Sequence, residues 1–377
     1  MKKNILVVSS TDDKNQLLVN LFEQLASQGY GFFLFSSKIT PIKQFQLKNW
    51  LAKKTSLGPA LASQFKTIIF LLVLPYWSIK FLARLLYFKY KKSLQIIICL
   101  NDREKIIFTP LAKLLKLKMI WLQLADNNLG QIKRPLLWLL RFYSHWSESA
   151  TFSNFTKIQL INLGYKEKKI KVICPGISLS PYQENLFTKL AQLEQKNFHR
   201  KYFTVGTVAN LNKKQKIQTL FQAAEICLNI IPFLQLIIIG EGEERKNLAW
   251  LAKKMRIDNL VWFVGEQNLV KKWLINFDLF VIVTNQLQLD DYLHLLEAMA
   301  AGLPVIGPKN LGLEEIIEQN KTGCLIEIDN SEMLAGQIIK LQQNKTLKLQ
   351  LGKNGSRRVE QFFTMEKMTS QFSKILT

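Results

Sequence analysis

Asp278–Gly307 reads DLFVIVTNQLQLDDYLHLLEAMAAGLPVIG. Leu279–Val283 is an unbroken apolar run that turns polar at Thr284 and Asn285. From Asp291 the apolar residues recur at helical spacing, and Gly302 stops them. Pro304–Gly307 is a second apolar run. Strand, helix and strand, with both strands apolar on both faces, predicts a parallel sheet covered by helices. In such open sheets ligands sit beyond the carboxyl ends of the strands, against helix N-termini. Glu297 stands among Leu295, Leu296, Ala298 and Met299. A carboxylate in that company is costly unless it accepts hydrogen bonds, and the paired hydroxyls of a ribose supply them.

The same alternation extends both ways. Upstream, apolar runs at 203–208, 234–240 and 261–264 predict strands, with helical periodicity over 219–229, 244–255 and 269–276. Downstream, 323–328 predicts a further strand, and the last helix starts near Thr364, a good N-cap. A first series precedes this one, with strands at 4–9, 31–36, 94–100, 119–124, 150–153 and 170–174. Its helices are read over 15–28, through 110–117 and over 154–163, with Gly29 and Gly164 as stops. The text between 180 and 201 is polar and helix-prone. The expected organisation is therefore α/β throughout. Residues 1–185 form one Rossmann-like domain, 186–201 a linker, 202–360 a second Rossmann-like domain, and 361–377 a C-terminal helix packing back on the first.

Composition narrows the function. The chain has 377 residues, 48% hydrophobic and 21% charged, which excludes a disordered tail, a coiled coil and a disulfide-stapled miniprotein. Cys99, Cys174, Cys227 and Cys324 lie far apart, as buried thiols of a reducing compartment do. His145, His199 and His294 are too scattered to predict a metal centre. The net charge is +23, which calls for an anionic partner or surface. Residues 1–185 hold 27 Lys and Arg against 9 Asp and Glu, whereas 186–377 hold 24 against 19. A uniform nucleic-acid binder needs no such asymmetry, and no nucleic-acid module is recognisable.

The excess is concentrated. Between Glu23 and Asp102 there is no acidic residue and there are eleven basic ones. This stretch includes Thr67–Ile79 (TIIFLLVLPYWSI), 13 uncharged residues ended by Lys80 and containing Pro75. A spanning helix needs about 20, so the expectation is an interfacial segment over 66–92. Lys80, Arg84 and Lys91 recur near helical spacing, and Tyr76 and Trp77 are rings suited to headgroup depth. The predicted partner is an anionic membrane surface. The alternative is a core helix with a solvated basic edge. The N-terminus, MKKNILVVSSTDD, lacks the apolar run of a secretion signal.

EAMAAGLPVIG (297–307) resembles the donor-site signature of family-4 retaining glycosyltransferases, glycosyl transferases group 1, which have the GT-B fold of two Rossmann-like domains facing a cleft. GTVANL (206–211), LIIIGEGEERKNLAWLA (236–252), NLVWFVGEQNLVKKWLINFDLFVIV (259–283) and EEIIEQNKTGCLIEID (314–329) continue the resemblance in order. So do SNFTKIQLINLGYKEKKIKVICPGISL (153–179) and RRVEQFFTMEKM (357–368). The resemblance implies transfer of a sugar from a nucleotide-sugar donor, with retention and without metal or other cofactor. The implied acceptor is lipid-linked or a polysaccharide of the cell envelope, met at the cytoplasmic face of the membrane. It makes Glu297 the ribose ligand and places Gly240 and Gly242 near the donor. The N-terminal domain becomes the acceptor half.

The family stabilises the departing diphosphate with an Arg and a Lys, where this chain has Asn210 and Gln215. Lys213, Lys214 and Lys216 are their neighbours. Leu289 replaces a second family glutamate, with Asp290 beside it, and Leu124 replaces an active-site histidine, with Asp126 close by. Asp126 and Asp290 are therefore the catalytic candidates, and Lys214, Lys216 and Asn210 join the donor set. Two readings follow: a working enzyme, or a catalytically silent homologue that binds membrane or a partner.

Overall fold

The computed structural model describes residues 3–10, 15–38, 50–57, 64–123, 134–179, 202–213, 215–267, 269–309 and 311–377. They divide into two compact units, Met1–Cys174 with Met368–Thr377, and Pro175–Lys367. The expected linker, 186–201, lies outside the described residues.

The first unit is a seven-stranded parallel sheet. Its strands are β1 (Asn4–Ser9), β2 (Gly31–Ser36), β3 (Leu51–Lys54), β4 (Leu94–Cys99), β5 (Lys118–Gln123), β6 (Glu148–Thr151) and β7 (Ile170–Val172), in the order β3-β2-β1-β4-β5-β6-β7. The order reverses between β1 and β4. Strand β3 was not expected, because its sequence, LAKK, is exposed and carries no apolar run. Helix α1 is Gln16–Ser27.

Helix α2 (Gln64–Lys92) has 29 residues and runs straight into β4. It covers the whole of the expected segment over 66–92 as one helix, with Pro75 inside it. Thr67–Lys92 is by length and composition apolar enough to cross a membrane, with a mean hydropathy of 1.7. Its inner side is nevertheless committed to the sheet. Phe70, Phe81 and Leu85 are buried in one core with Leu6, Val8, Phe33, Phe35, Ile97 and Cys99. Those anchors lie on both sides of Pro75, which is exposed. Packing outweighs the roughly 3 kcal/mol that an interior proline costs.

Helix α3 (Asp102–Leu114) starts eight residues before the expected Pro110, because Asn101 and Glu104 form a capping box. Helices α4 (Arg134–Tyr143) and α5 (Asn154–Asn162) follow β5 and β6.

The second unit is a six-stranded parallel sheet. Its strands are β8 (Phe203–Val208), β9 (Leu234–Ile239), β10 (Val261–Gly265), β11 (Leu279–Val281), β12 (Val305–Pro308) and β13 (Cys324–Ile326), in the order β10-β9-β8-β11-β12-β13. The reversal falls between β8 and β11. Helices α6 (Ile217–Leu228), α7 (Arg245–Lys254), α8 (Lys271–Leu274), α9 (Leu289–Ala300), α10 (Ser331–Gln343) and α11 (Lys345–Phe362) complete it. The final helix, α12 (Met365–Leu376), leaves this unit and joins the first from Met368 onward. There Gln371 Oε1 accepts the Cys174 N–H at 2.8 Å, and Lys3 Nζ donates to the Leu376 carbonyl at 3.0 Å.

Candidate functional site

The two reversal points are built alike. β4 neighbours β1 as β11 neighbours β8, so α3 and α9 occupy equivalent places. Each helix begins with a capping box whose acid is buried: Asn101 with Glu104, and Gln288 with Asp291. Such helix starts at a sheet's carboxyl edge are where an α/β unit binds ligands.

In the second unit Asp291 Oδ2 accepts the Gln288 N–H at 2.7 Å. Burial pushes its carboxyl up to about 6, against that bond, the charge of His294 and a bond from Gln215. One turn on, His294 Nδ1 lies 3.2 Å from Glu297 Oε2, with side chains 19% and 18% exposed. Burial lowers the affinity of His294 for its proton. The bond to Glu297, its charge and the charges of Asp290 and Asp291 outweigh that, and the imidazole titrates above its ordinary value. Glu297 is thus partly buried on α9, as its apolar neighbours predicted. Its partner His294 was missed. The signal was the three-residue spacing, which puts both side chains on one face of a helix.

The loop between β8 and α6 closes one side of this corner. Ala209 N–H donates to the Ile239 carbonyl at 3.0 Å, Leu211 N–H to Glu241 at 2.9 Å, and Lys216 N–H to Val283 at 2.7 Å. Gln215 is buried and bridges Thr284. Gly240 and Gly242 lie against this loop. A Cβ at Gly240 would strike the Ala209 carbonyl, and one at Gly242 the Leu211 carbonyl. The observed constraint on both is therefore close backbone packing, with Gly240 also at φ +138°. Asn210 is exposed. Lys216 Nζ pairs with Asp329 Oδ2 at 3.0 Å, so part of its charge is already engaged. Asp290 opens α9 within the field felt by His294. Lys214 and Asp126 lie outside the described residues.

In the first unit Glu104 is fully buried. Its Oε2 accepts the Asn101 N–H at 3.0 Å and the Leu100 N–H at 3.3 Å, and burial still pushes its carboxyl up to about 7. Lys105, also buried, donates to Asp102 Oδ1 at 3.0 Å and Gln123 Oε1 at 2.9 Å. Gln123 and Thr151 are register partners on β5 and β6. Their Nε2 and Oγ1 atoms are buried with no partner among the described residues. This polar corner was also missed, because NDREK (101–105) reads as an ordinary charged helix start.

The outer side of α2 is a third feature. Ile68, Leu72, Tyr76, Ile79, Tyr87 and Tyr90 are exposed, Leu72 at 75% and Ile79 at 71%. Lys80 Nζ stands 4.5 Å from the Trp77 ring centroid and 5.7 Å from that of Tyr76, and Arg84 stands 5.7 Å from the centroid of Phe81. Lys91 is exposed. Trp77 packs on Phe81 at 5.9 Å and is half-buried, so Tyr76 is the ring that faces outward.

Among the described residues no group of three or more His, Cys, Asp and Glu side chains is placed to hold a metal ion.

In an open parallel sheet the crevice beyond the strand ends at the reversal point is where ligands bind. Residues 189–358, somewhat under half of the chain, match the family described as Glycosyl transferases group 1. The N-acetyl-alpha-D-glucosaminyl L-malate synthase of Bacillus anthracis is 31% identical over 169 residues, 45% of this chain and 43% of that protein. The lipopolysaccharide core biosynthesis glycosyltransferase LpsE of Rhizobium meliloti is 27% identical over 146 residues, 39% of this chain and 42% of that one. The match thus spans less than half the length of either relative. Among solved structures, Anabaena HepE in complex with UDP and glucose superposes with a TM-score of 0.78 over 99% of both chains at 16% identity. Sucrose-phosphate synthase from Thermosynechococcus elongatus gives 0.75 over 100% and 98% at 19% identity. The chain has the GT-B fold of these proteins.

Proposed function

We propose that this protein transfers a sugar from a nucleotide-sugar to a lipid-linked or polysaccharide acceptor of the cell envelope, with retention at the anomeric carbon. The observation that carries the reading is Glu297, four-fifths buried on α9, the helix that follows the reversal-point strand of the group 1 domain. A carboxylate held there suits the two hydroxyls of a ribose. HepE has been solved with UDP and with UDP-glucose, and LpsE is named for lipopolysaccharide core biosynthesis. A poly(ribitol-phosphate) alpha-N-acetylglucosaminyltransferase of Staphylococcus aureus is 25% identical over half of this chain. The chemical demand is the charge on the departing diphosphate, which backbone N–H groups, Lys216 and neighbouring lysines are suited to meet.

The same proposal places the protein peripherally on the inner face of the cell membrane, docked by α2. Its exposed apolar stripe is flanked by Lys80, Arg84 and Lys91, and each such cation near an anionic surface is worth about 1 kcal/mol. A silent homologue is the second reading. It is favoured by the acids Asp290 and Asp291 at the helix start and by the engagement of Lys216 with Asp329.

Calorimetric titration with UDP-, GDP- and ADP-sugars separates the two. The enzyme reading expects one of them to bind, and Glu297→Ala to weaken it a hundredfold or more. No binding by any sugar nucleotide leaves the silent homologue. Flotation with vesicles containing phosphatidylglycerol tests the membrane. Binding should weaken with salt and fail in a triple variant with Leu72, Tyr76 and Ile79 changed to Ser. Flotation that ignores both salt and these residues removes α2 from the docking surface.

A further inference from the structure

We propose that His294 is a positioning residue whose protonation sets how tightly Glu297 and the start of α9 hold an anionic nucleotide. The inference rests on the nucleotide reading above and adds to it a control of the same site.

Asp290 and Asp291 stand four and three residues before His294 and Glu297 three residues after it, so the three acids form a stripe around the imidazole on α9. Three of the four are acids. An unrelieved stripe of carboxylates repels a diphosphate and leaves Glu297 without a fixed orientation. The imidazole sits in the middle of the stripe. Its Nδ1 reaches Glu297 Oε2 at 3.2 Å, and both side chains are about four-fifths buried, where salt screens their charges little. A proton on Nδ1 donates to Oε2 and holds the carboxylate in one rotamer. The second ring proton gives the stripe its cation. The charged groups that act on the ring are Glu297, Asp290 and Asp291, all on α9. The loop facing Asp291 contributes the neutral Gln215.

The sign follows. With His294 protonated, the stripe carries one positive charge and Glu297 is held. As pH rises through the titration of His294 the cation is lost, and an anionic ligand binds more weakly. Asp291, at about 6, acts in the same direction, so the part due to His294 is read from the difference between the wild type and His294→Gln.

The test is the affinity for UDP-glucose, or for GDP-mannose or ADP-glucose if one of those binds instead, between pH 5.5 and 9. The diphosphate of these probes does not titrate in that range. The wild type is expected to lose affinity severalfold as pH rises through the titration of His294. His294→Gln should bind weakly at pH 7 and show no further loss. His294→Lys keeps a cation to pH 9 and should restore the affinity and flatten the profile. Parallel profiles for wild type and His294→Gln overturn the proposal. Proton NMR of the three histidines gives a second arm that needs no ligand. The His294 titration should fall toward its ordinary value in Glu297→Gln, and an unmoved titration also overturns it. If the wild type binds no nucleotide-sugar at any pH while this titration does fall, the nucleotide reading fails and the coupling of His294 to Glu297 survives it.

Discussion

The corner at the start of α3 and the corner at the start of α9 are the same construction put to different uses. Both follow the strand just past the reversal of a parallel sheet, and both open with a capping box closed by a buried acid, Glu104 or Asp291. They differ in what surrounds the acid. Around Glu104 the cations are Arg103 and Lys105, and Lys105 is buried and held by Asp102 and Gln123. Around Asp291 the cation is a histidine, four-fifths buried, whose Nδ1 lies 3.2 Å from Glu297 Oε2. An enclosed, hydrogen-bonded partner makes the first corner a fixed structural knot. A titratable, reachable one leaves the second able to respond to a ligand.

Stability against pH is the strongest way to break this comparison. Glu104 titrates at about 7 when folded against an ordinary 4.5, because burial penalises its charge. A carboxyl raised in the folded state binds the extra proton there, so its contribution is full below pH 4.5 and is lost as pH rises to 7. The loss is about 3 kcal/mol. Glu104→Gln keeps an acceptor for the Leu100 and Asn101 N–H groups and has no charge to bury. It should be more stable than the wild type at pH 8, by up to about 3 kcal/mol, and equal to it at pH 4.5. Asp291→Asn should show the same sign with the window moved to between 3.8 and about 6, and a slightly smaller gain. Urea unfolding at several pH values reads both. If the two variants track the wild type at every pH, the buried acids are not the shared element.

A smaller effect sharpens the functional side. Lys216 and Asp329 form a partly exposed pair, and such pairs contribute about 0–1 kcal/mol. Asp329→Asn should therefore leave stability almost unchanged while it frees the ammonium. Affinity for the nucleotide-sugar should rise severalfold if Lys216 serves the diphosphate. An unchanged affinity places Lys216 outside the site.

Much of this was legible beforehand, and the failures have physical causes. Two series of apolar runs separated by helical periodicity gave the parallel units, because strands covered on both faces show no polar alternation. Glu297 stood out because a charge among Leu295, Leu296, Ala298 and Met299 needs an explanation. β3 was missed because an exposed edge strand, LAKK, buries nothing. Helix α2 keeps Pro75 in its interior although local propensity disfavours it, because Phe70, Phe81 and Leu85 fix the helix on both sides of it. Trp77 was read as an outward ring, but its phase on the helix points it toward Phe81.

Sequence alone determined the order of strands and helices, the charge imbalance between the halves, and the one acid whose setting demands a partner. These are set by local pattern and by composition, which every residue carries with it. Tertiary structure decided which strands adjoin, and therefore that α3 and α9 are equivalent. It also decided that Lys216 meets Asp329 and that Lys105 meets Gln123, because those pairings join residues from separate elements brought together only when the sheets form.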